Sequence, residues 1–132
     1  MEKNPTSMLV VALALFDREG RILLQQRLPE KHHGGLWEFP GGKVESRETP
    51  RLALVREIEE ELGIVLDPAQ LEPAHFADET GTRAVVLILY TSRQAVGAAT
   101  GREGQAWGWF DMKKAAALPL APMDRKLLSH FA

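Results

Sequence analysis

The stretch from Thr49 to Gly63 constrains this chain more than any other part of it. Thr49 suits a helix cap, Pro50 the first turn and Gly63 the end, so the sequence predicts a helix over about Pro50–Leu62; Leu52 at the third position leaves the capping box incomplete. At roughly 100° per residue, Glu57, Glu60 and Glu61 fall within about a 100° arc, while Leu52, Val55, Ile58 and Leu62 cluster near the opposite side. The fold must therefore bury the apolar side and leave three carboxylates crowded together. Like charges at i,i+3 and i,i+4 repel, and no lysine on that face relieves them. An acidic run alone is most often a solvated helix face. Carboxylates crowded in this way also suit a divalent cation, and an all-oxygen set favours a hard ion such as Mg2+ or Mn2+.

Most of the remaining pattern is strand. Residues 8–16 form an apolar run behind Lys3 with the length of a signal-peptide core, too short to span a bilayer. Asp17-Arg18-Glu19-Gly20 follows at once as a turn, which favours a buried first strand. Residues 9–16 and 22–26 read as a hairpin, 28–36 as a polar loop, and 37–39 as a short strand stopped by Pro40-Gly41-Gly42. After a Gly81-Thr82 turn, residues 83–91 read as a long apolar strand and 105–110 as another; 111–118 and 123–131 read as short helices separated by Pro119 and Pro122. The expectation is one α+β domain over residues 1–132.

Sixteen Lys and Arg against eighteen Asp and Glu give a net charge of -2, without the basic excess that holds nucleic-acid polymers. The absence of cysteine excludes disulfides, thiolate zinc sites and Cys nucleophiles, and it fits a reducing compartment, so the cytoplasm is expected.

From Gly42 onward the residues run Gly42, five residues, Glu48, seven residues, Arg56-Glu57-Ile58, one residue, Glu60-Glu61, one residue, Gly63-Ile64. This matches, position for position, the signature of the Nudix hydrolases. The likeness extends over nearly the whole chain, towards the MutT-like branch that hydrolyses nucleoside triphosphates. Leu36-Trp37-Glu38-Phe39-Pro40-Gly41-Gly42-Lys43-Val44-Glu45 is similar to that branch's lead-in, and Arg102-Glu103-Gly104-Gln105 with Trp107 and Trp109 resembles its later Glu-Gly-Gln element.

The resemblance implies an α/β/α sandwich with a mixed central sheet, the signature forming loop, helix and loop, and cleavage of a nucleoside triphosphate into monophosphate and pyrophosphate. It implies that Glu57, Glu60, Glu61, Glu103 and the Gly41 carbonyl hold Mg2+ or Mn2+, that Arg56 orients the carboxylates, and that Glu48 braces the loop. Glu57, with Glu103 second, is then the group that takes the proton of water. Electrostatics points the same way: a triphosphate with about four negative charges approaches such a carboxylate set only with divalent ions between them. By the same resemblance Arg27 faces phosphate, Arg83 faces the base and Phe39 lines the base pocket. Trp37, Trp107 and Trp109 read as core or cleft wall, and His32 and His33 as solvent-facing.

The sequence departs from the branch's 8-oxo-dGTP-cleaving members near the C-terminus, where those members carry an asparagine after a Pro-Pro-Ala stretch. Here the run is Leu118-Pro119-Leu120-Ala121-Pro122-Met123-Asp124, a form that resembles members acting on CTP and on methylated or oxidised pyrimidine triphosphates. Asp124 either reads a base edge by accepting an N–H or caps the last helix. The activity expected is nucleotide-pool sanitation of the 8-oxo-dGTP type, which serves DNA repair, with CTP or modified dCTP as the alternative. Another alternative is a non-catalytic nucleotide-binding module; such Nudix-like modules lose signature carboxylates, and this chain retains them. The expected partner is free nucleotide, with no nucleic-acid polymer and no membrane, and the expected assembly is a monomer or weak homodimer.

Overall fold

A strand apolar on both faces belongs in the middle of a sheet, and β1 (Ser7–Leu15) lies there. The computed structural model describes residues 7–81 and 83–131, so Lys3 and Thr82, which figure in the signal-peptide and turn readings, lie outside the described residues. β1 pairs in parallel with β6 (Ala84–Ser92) and antiparallel with β4 (Gly41–Lys43); β5 (Glu72–Glu79) closes the far edge against β6, giving the order β4-β1-β6-β5. A second, antiparallel sheet has the order β3-β2-β7, from Trp37–Glu38, Ile22–Gln26 and Trp107–Phe110.

The expected hairpin of β1 with β2 does not extend beyond its turn. The Asp17 carboxylate accepts the Glu19 and Arg21 N–H groups at 3.0 and 2.8 Å, and a single Phe16–Ile22 bridge follows. Past it the two strands enter different sheets. A strand has only two edges, and β4 and β6 occupy both edges of β1. The strand expected to stop at Pro40 resumes beyond it as β4, and β5 was not anticipated: Pro73 and its acidic residues give it little intrinsic strand preference, and it forms as an edge strand on β6.

Alternation along β1 divides the interior between two layers. Val11, Leu13 and Leu15 pack with Leu54, Ile58 and Leu62 of α1 (Pro50–Leu62), whereas Ala12, Ala14 and Phe16 pack with Leu120, Leu127 and Leu128 around α2 (Met112–Ala117) and α3 (Pro122–Leu128). The result is the α/β/α sandwich, with the sheet layer split into two hydrogen-bonded ladders. The expected last helix breaks after Leu128 into a 3-10 turn, Ser129–Phe131. Among the described residues no helix is long and apolar enough to cross a membrane.

The Thr49 hydroxyl accepts the Leu52 N–H, and Gly63 ends α1 in the left-handed region at φ 69° with its N–H on the Glu59 carbonyl. The buried side of α1 differs from the expected stripe. Ala53, Leu54, Ile58, Glu61 and Leu62 are buried, while Leu52 is 54% exposed. One of the three carboxylates thus sits on the packed face.

Candidate functional site

A cleft of about 790 Å³ opens between β4, α1, the end of β2 and the start of α3. Glu57, Glu61, Glu103 and Gly41 line one end, and Arg27, Phe39 and Asp124 line the other. Glu60 and Arg83 do not line it.

At the acidic end, a Cβ on Gly41 would collide with the Val11 carbonyl of the neighbouring β1, and β4 passes so close to α1 that one on Gly42 would collide with the Glu57 carboxylate. Backbone without side chains is what lets Glu57 lie against the strand. The Glu61 Oε1 accepts the Gly41 N–H and the Gln25 amide, each at 3.1 Å. Burial first, then the charges of Glu38 and Glu57, push the Glu61 carboxyl up to about 8, with the Gln25 hydrogen bond opposing and Glu103 adding to the rise. Glu57 is raised as well, by burial first, against the opposing pull of Arg56.

Arg56 ties the acidic face together. Its Nε and Nη2 donate to both oxygens of Glu48 at 2.6 and 2.9 Å, its Nη2 to the Lys43 carbonyl, and its Nη1 to Glu57 and Glu60 at 3.2 Å each. The hydrogen bonds from Arg56 hold the Glu48 carboxyl down at about 2. Glu48 also accepts the Glu45 N–H at 2.9 Å, which closes the loop before α1. The Glu60 side chain is 56% exposed and turned to Arg56.

Glu103 rides on a loop docked onto the C-terminal end of α1. The Thr100 and Arg102 N–H groups donate to the Leu62 and Glu61 carbonyls at 2.9 Å, satisfying last-turn acceptors of the helix, and the Gln105 side chain adds a third bond to the Glu61 carbonyl. The Glu103 N–H is held by Gln105 Oε1 at 3.0 Å. Among the described residues no three acidic or His side chains form a ready-made cage for an ion. The donor set nevertheless fits a hard divalent cation, because Glu57, Glu61 and Glu103 face one cleft and offer only oxygen, and burial with neighbouring carboxylate charge raises the proton affinity of Glu57 and Glu61.

At the other end, Arg27 donates to Glu38 at 2.7 Å and to the His32 carbonyl at 2.6 Å. Phe39 is buried, and its N–H donates to Asp124 Oδ2 at 2.9 Å. Asp124 is 7% exposed. Burial pushes its carboxyl up to about 7, with the Phe39 N–H and Arg27 opposing and Glu38 adding to the rise. The cap of α3 is Ala121, with no side-chain hydrogen bond, so Asp124 is not the cap that one reading made it. Arg83 is exposed just ahead of β6 and is not itself among the residues lining the cleft, although Val85, two residues further on, and Glu79 are. None of the three tryptophans lines the cleft.

Gln25 is not singled out from sequence, and Glu38 and Gln105 figure there only within the family-like runs, without a role of their own. The signal for Gln25 was available, since it shares the inward face of β2 with Leu23, two residues before it.

An α/β/α sandwich whose cleft gathers carboxylates beside an arginine-braced helix is the arrangement that the likeness to the Nudix hydrolases leads one to expect. The chain belongs to the NUDIX domain family, whose model matches residues 6–131. It is 40% identical over 124 residues to the CTP pyrophosphohydrolase of Escherichia coli (strain K12), covering 94% of this chain and 91% of that protein. It is 39% identical over 109 residues to the 8-oxo-dGTP diphosphatase of Haemophilus influenzae, covering 83% and 79%. The crystal structure of the MutT NUDIX hydrolase from Burkholderia pseudomallei superposes with a TM-score of 0.85 at 30% identity, covering 97% of this chain and 100% of that one. The chain is thus a Nudix hydrolase of MutT-like fold, a family of divalent-metal enzymes acting on nucleotides.

Proposed function

We propose that this chain, acting as one domain in the cytoplasm, is a Mg2+- or Mn2+-dependent pyrophosphohydrolase of free nucleoside triphosphates that removes oxidised nucleotides of the 8-oxo-dGTP type. The observation that carries the reading is a single cleft with carboxylates at one end and a buried, hydrogen-bonded aspartate beside an aromatic residue at the other. Glu57, Glu61, Glu103 and the Gly41 carbonyl hold the ions, with Glu60 joining them from the Arg56 side. A divalent ion bound there neutralises phosphate charge, polarises phosphorus and lowers the pKa of water.

The residues of the chain do the rest. Arg56 fixes Glu57 and Glu60, Glu48 braces Arg56, and Glu57, kept basic by burial, takes the proton of the attacking water, with Glu103 as the next candidate. Arg27 faces phosphate, Phe39 walls the base, and Asp124 accepts N–H groups from the base edge. CTP or a modified dCTP is the second reading, favoured by Pro122 in place of an asparagine after Pro119-Leu120-Ala121 and by the likeness to a CTP pyrophosphohydrolase.

Turnover of 8-oxo-dGTP, dGTP, CTP, 5-methyl-dCTP and dTTP, with phosphate and pyrophosphate measured separately, tests the reading. In ¹⁸O-water the label is expected in pyrophosphate, from attack at the β-phosphorus. Label in the monophosphate moves the attack to the α-phosphorus, and inorganic phosphate as first product overturns the proposal.

A further inference from the structure

Gln25 is 3% exposed on β2, on the face that Leu23 packs against α1, where an apolar side chain would cost nothing to bury. Its amide instead makes every hydrogen bond its donors allow. Nε2 donates to Glu38 Oε2 at 3.2 Å and to Glu61 Oε1 at 3.1 Å, and Oε1 accepts from Gln105 Nε2 at 3.1 Å. The Gln105 amide in turn donates to the Glu61 carbonyl at 3.1 Å and accepts the Glu103 N–H.

The direction of this chain is dictated by its ends. Glu61 Oε1 already accepts the Gly41 N–H and Glu38 already accepts from Arg27, so both turn acceptor oxygens to Gln25, which must present its NH2 to them; its oxygen then faces Gln105, which must present its own NH2. Turning either amide over would set oxygen against oxygen. Glu38 is also held by Arg27, which reaches the His32 carbonyl. One buried amide therefore stands between the two ends of the cleft.

We propose that Gln25 is a positioning residue for the hydrolysis: it holds the Glu61 carboxylate against the Gly41 N–H and, through Glu38 and Gln105, sets the two ends of the cleft and the Glu103 loop in fixed relation. The proposal rests on the pyrophosphohydrolase reading above. Without Gln25, Glu61 keeps one donor and is free to turn, while Glu38 keeps Arg27. The loss falls on ion binding and on turnover, and the nucleotide end keeps its main ion pair.

The test is Gln25→Met, which preserves length and burial and removes both donors. Four quantities are compared with wild type in the full chain: kcat and KM for the best nucleotide of the panel, the Kd for Mn2+ without nucleotide from the electron paramagnetic resonance of free Mn2+, and the melting temperature in EDTA. Groups that orient ion-holding side chains typically contribute 10- to 100-fold, so kcat is expected to fall by roughly that factor and the Mn2+ Kd to rise about tenfold, with KM within about threefold. Gln25→Asn, which keeps the amide but spans to one carboxylate, is expected to fall between; if the Met variant does not fold, the Asn variant decides on the same quantities. Values of kcat and Mn2+ Kd within about twofold of wild type overturn the proposal, as does a fall in melting temperature with no change in Mn2+ affinity. Wild type that releases no pyrophosphate or binds no Mn2+ overturns the underlying reading instead, and is seen before any variant is made.

Discussion

Asp124→Asn is expected to stabilise the protein, and to do so only above mild acid. The Asp124 carboxylate is enclosed, with one hydrogen bond from the Phe39 N–H, Glu38 as a like charge and Arg27 as an opposite one. Its pKa rises from 3.8 to about 7 on folding. Because the folded state binds this proton more tightly, the favourable contribution is fully present below pH 3.8 and is lost as pH rises through about 7. At roughly 1.4 kcal/mol for each tenfold in proton affinity, the loss at pH 8 is about 4 kcal/mol. Asparagine keeps an oxygen for the Phe39 N–H and carries no charge to desolvate. The variant should match wild type near pH 4 and melt higher at pH 8, by roughly 10 °C for a chain of this size. Asp124→Ala separates the hydrogen bond from the charge: it leaves a buried N–H unpaired at a cost of about 1 to 3 kcal/mol at every pH, so it should be less stable than wild type at pH 4 and, at pH 8, lie between wild type and the Asn variant. Melting curves of the three proteins in EDTA from pH 4 to 8 decide the matter. A gap between Asn variant and wild type that is flat with pH, or an Asn variant that melts below wild type at pH 8, refutes the reasoning.

Glu57→Gln should leave the fold intact, keep the melting temperature in EDTA equal or higher through relief of like charge, and lower kcat by about two to three orders of magnitude, as steady-state kinetics on a folded variant will show. In Gly42→Ala the new methyl displaces the Glu57 carboxylate, the far end of a flexible side chain, so turnover should fall at least tenfold with only a small change in melting temperature, of roughly 3 °C or less. Arg83→Ala, at a residue that does not line the cleft, should keep kcat/KM within about twofold across the nucleotide panel, whereas Arg27→Ala, which also releases Glu38, should lower it at least tenfold; the reverse order would assign Arg83 to the substrate.

What the sequence determined by itself is what short-range physics controls. The ends of α1 fall where Thr49, Pro50 and Gly63 put them, because capping is settled within one turn of helix. β1 was legible as a buried strand from its unbroken apolar run, and the Nudix signature from spacing alone. Tertiary structure decided everything that depends on what approaches from far along the chain. Periodicity separates the faces of α1 but does not say which edge of the apolar face is covered; β4 and the loop carrying Glu103 cover the side holding Glu61, and Leu52 is left in solvent. The hairpin failed because β4 and β6 compete for the edges of β1, and β5 exists because β6 offers it an edge. Gln25 meets Glu61 across 36 positions and Gln105 across 80, and Phe39 meets Asp124 across 85. Contacts at such separations are set by the packing of whole layers, which no local pattern encodes, and they turn a row of carboxylates into a site with two ends.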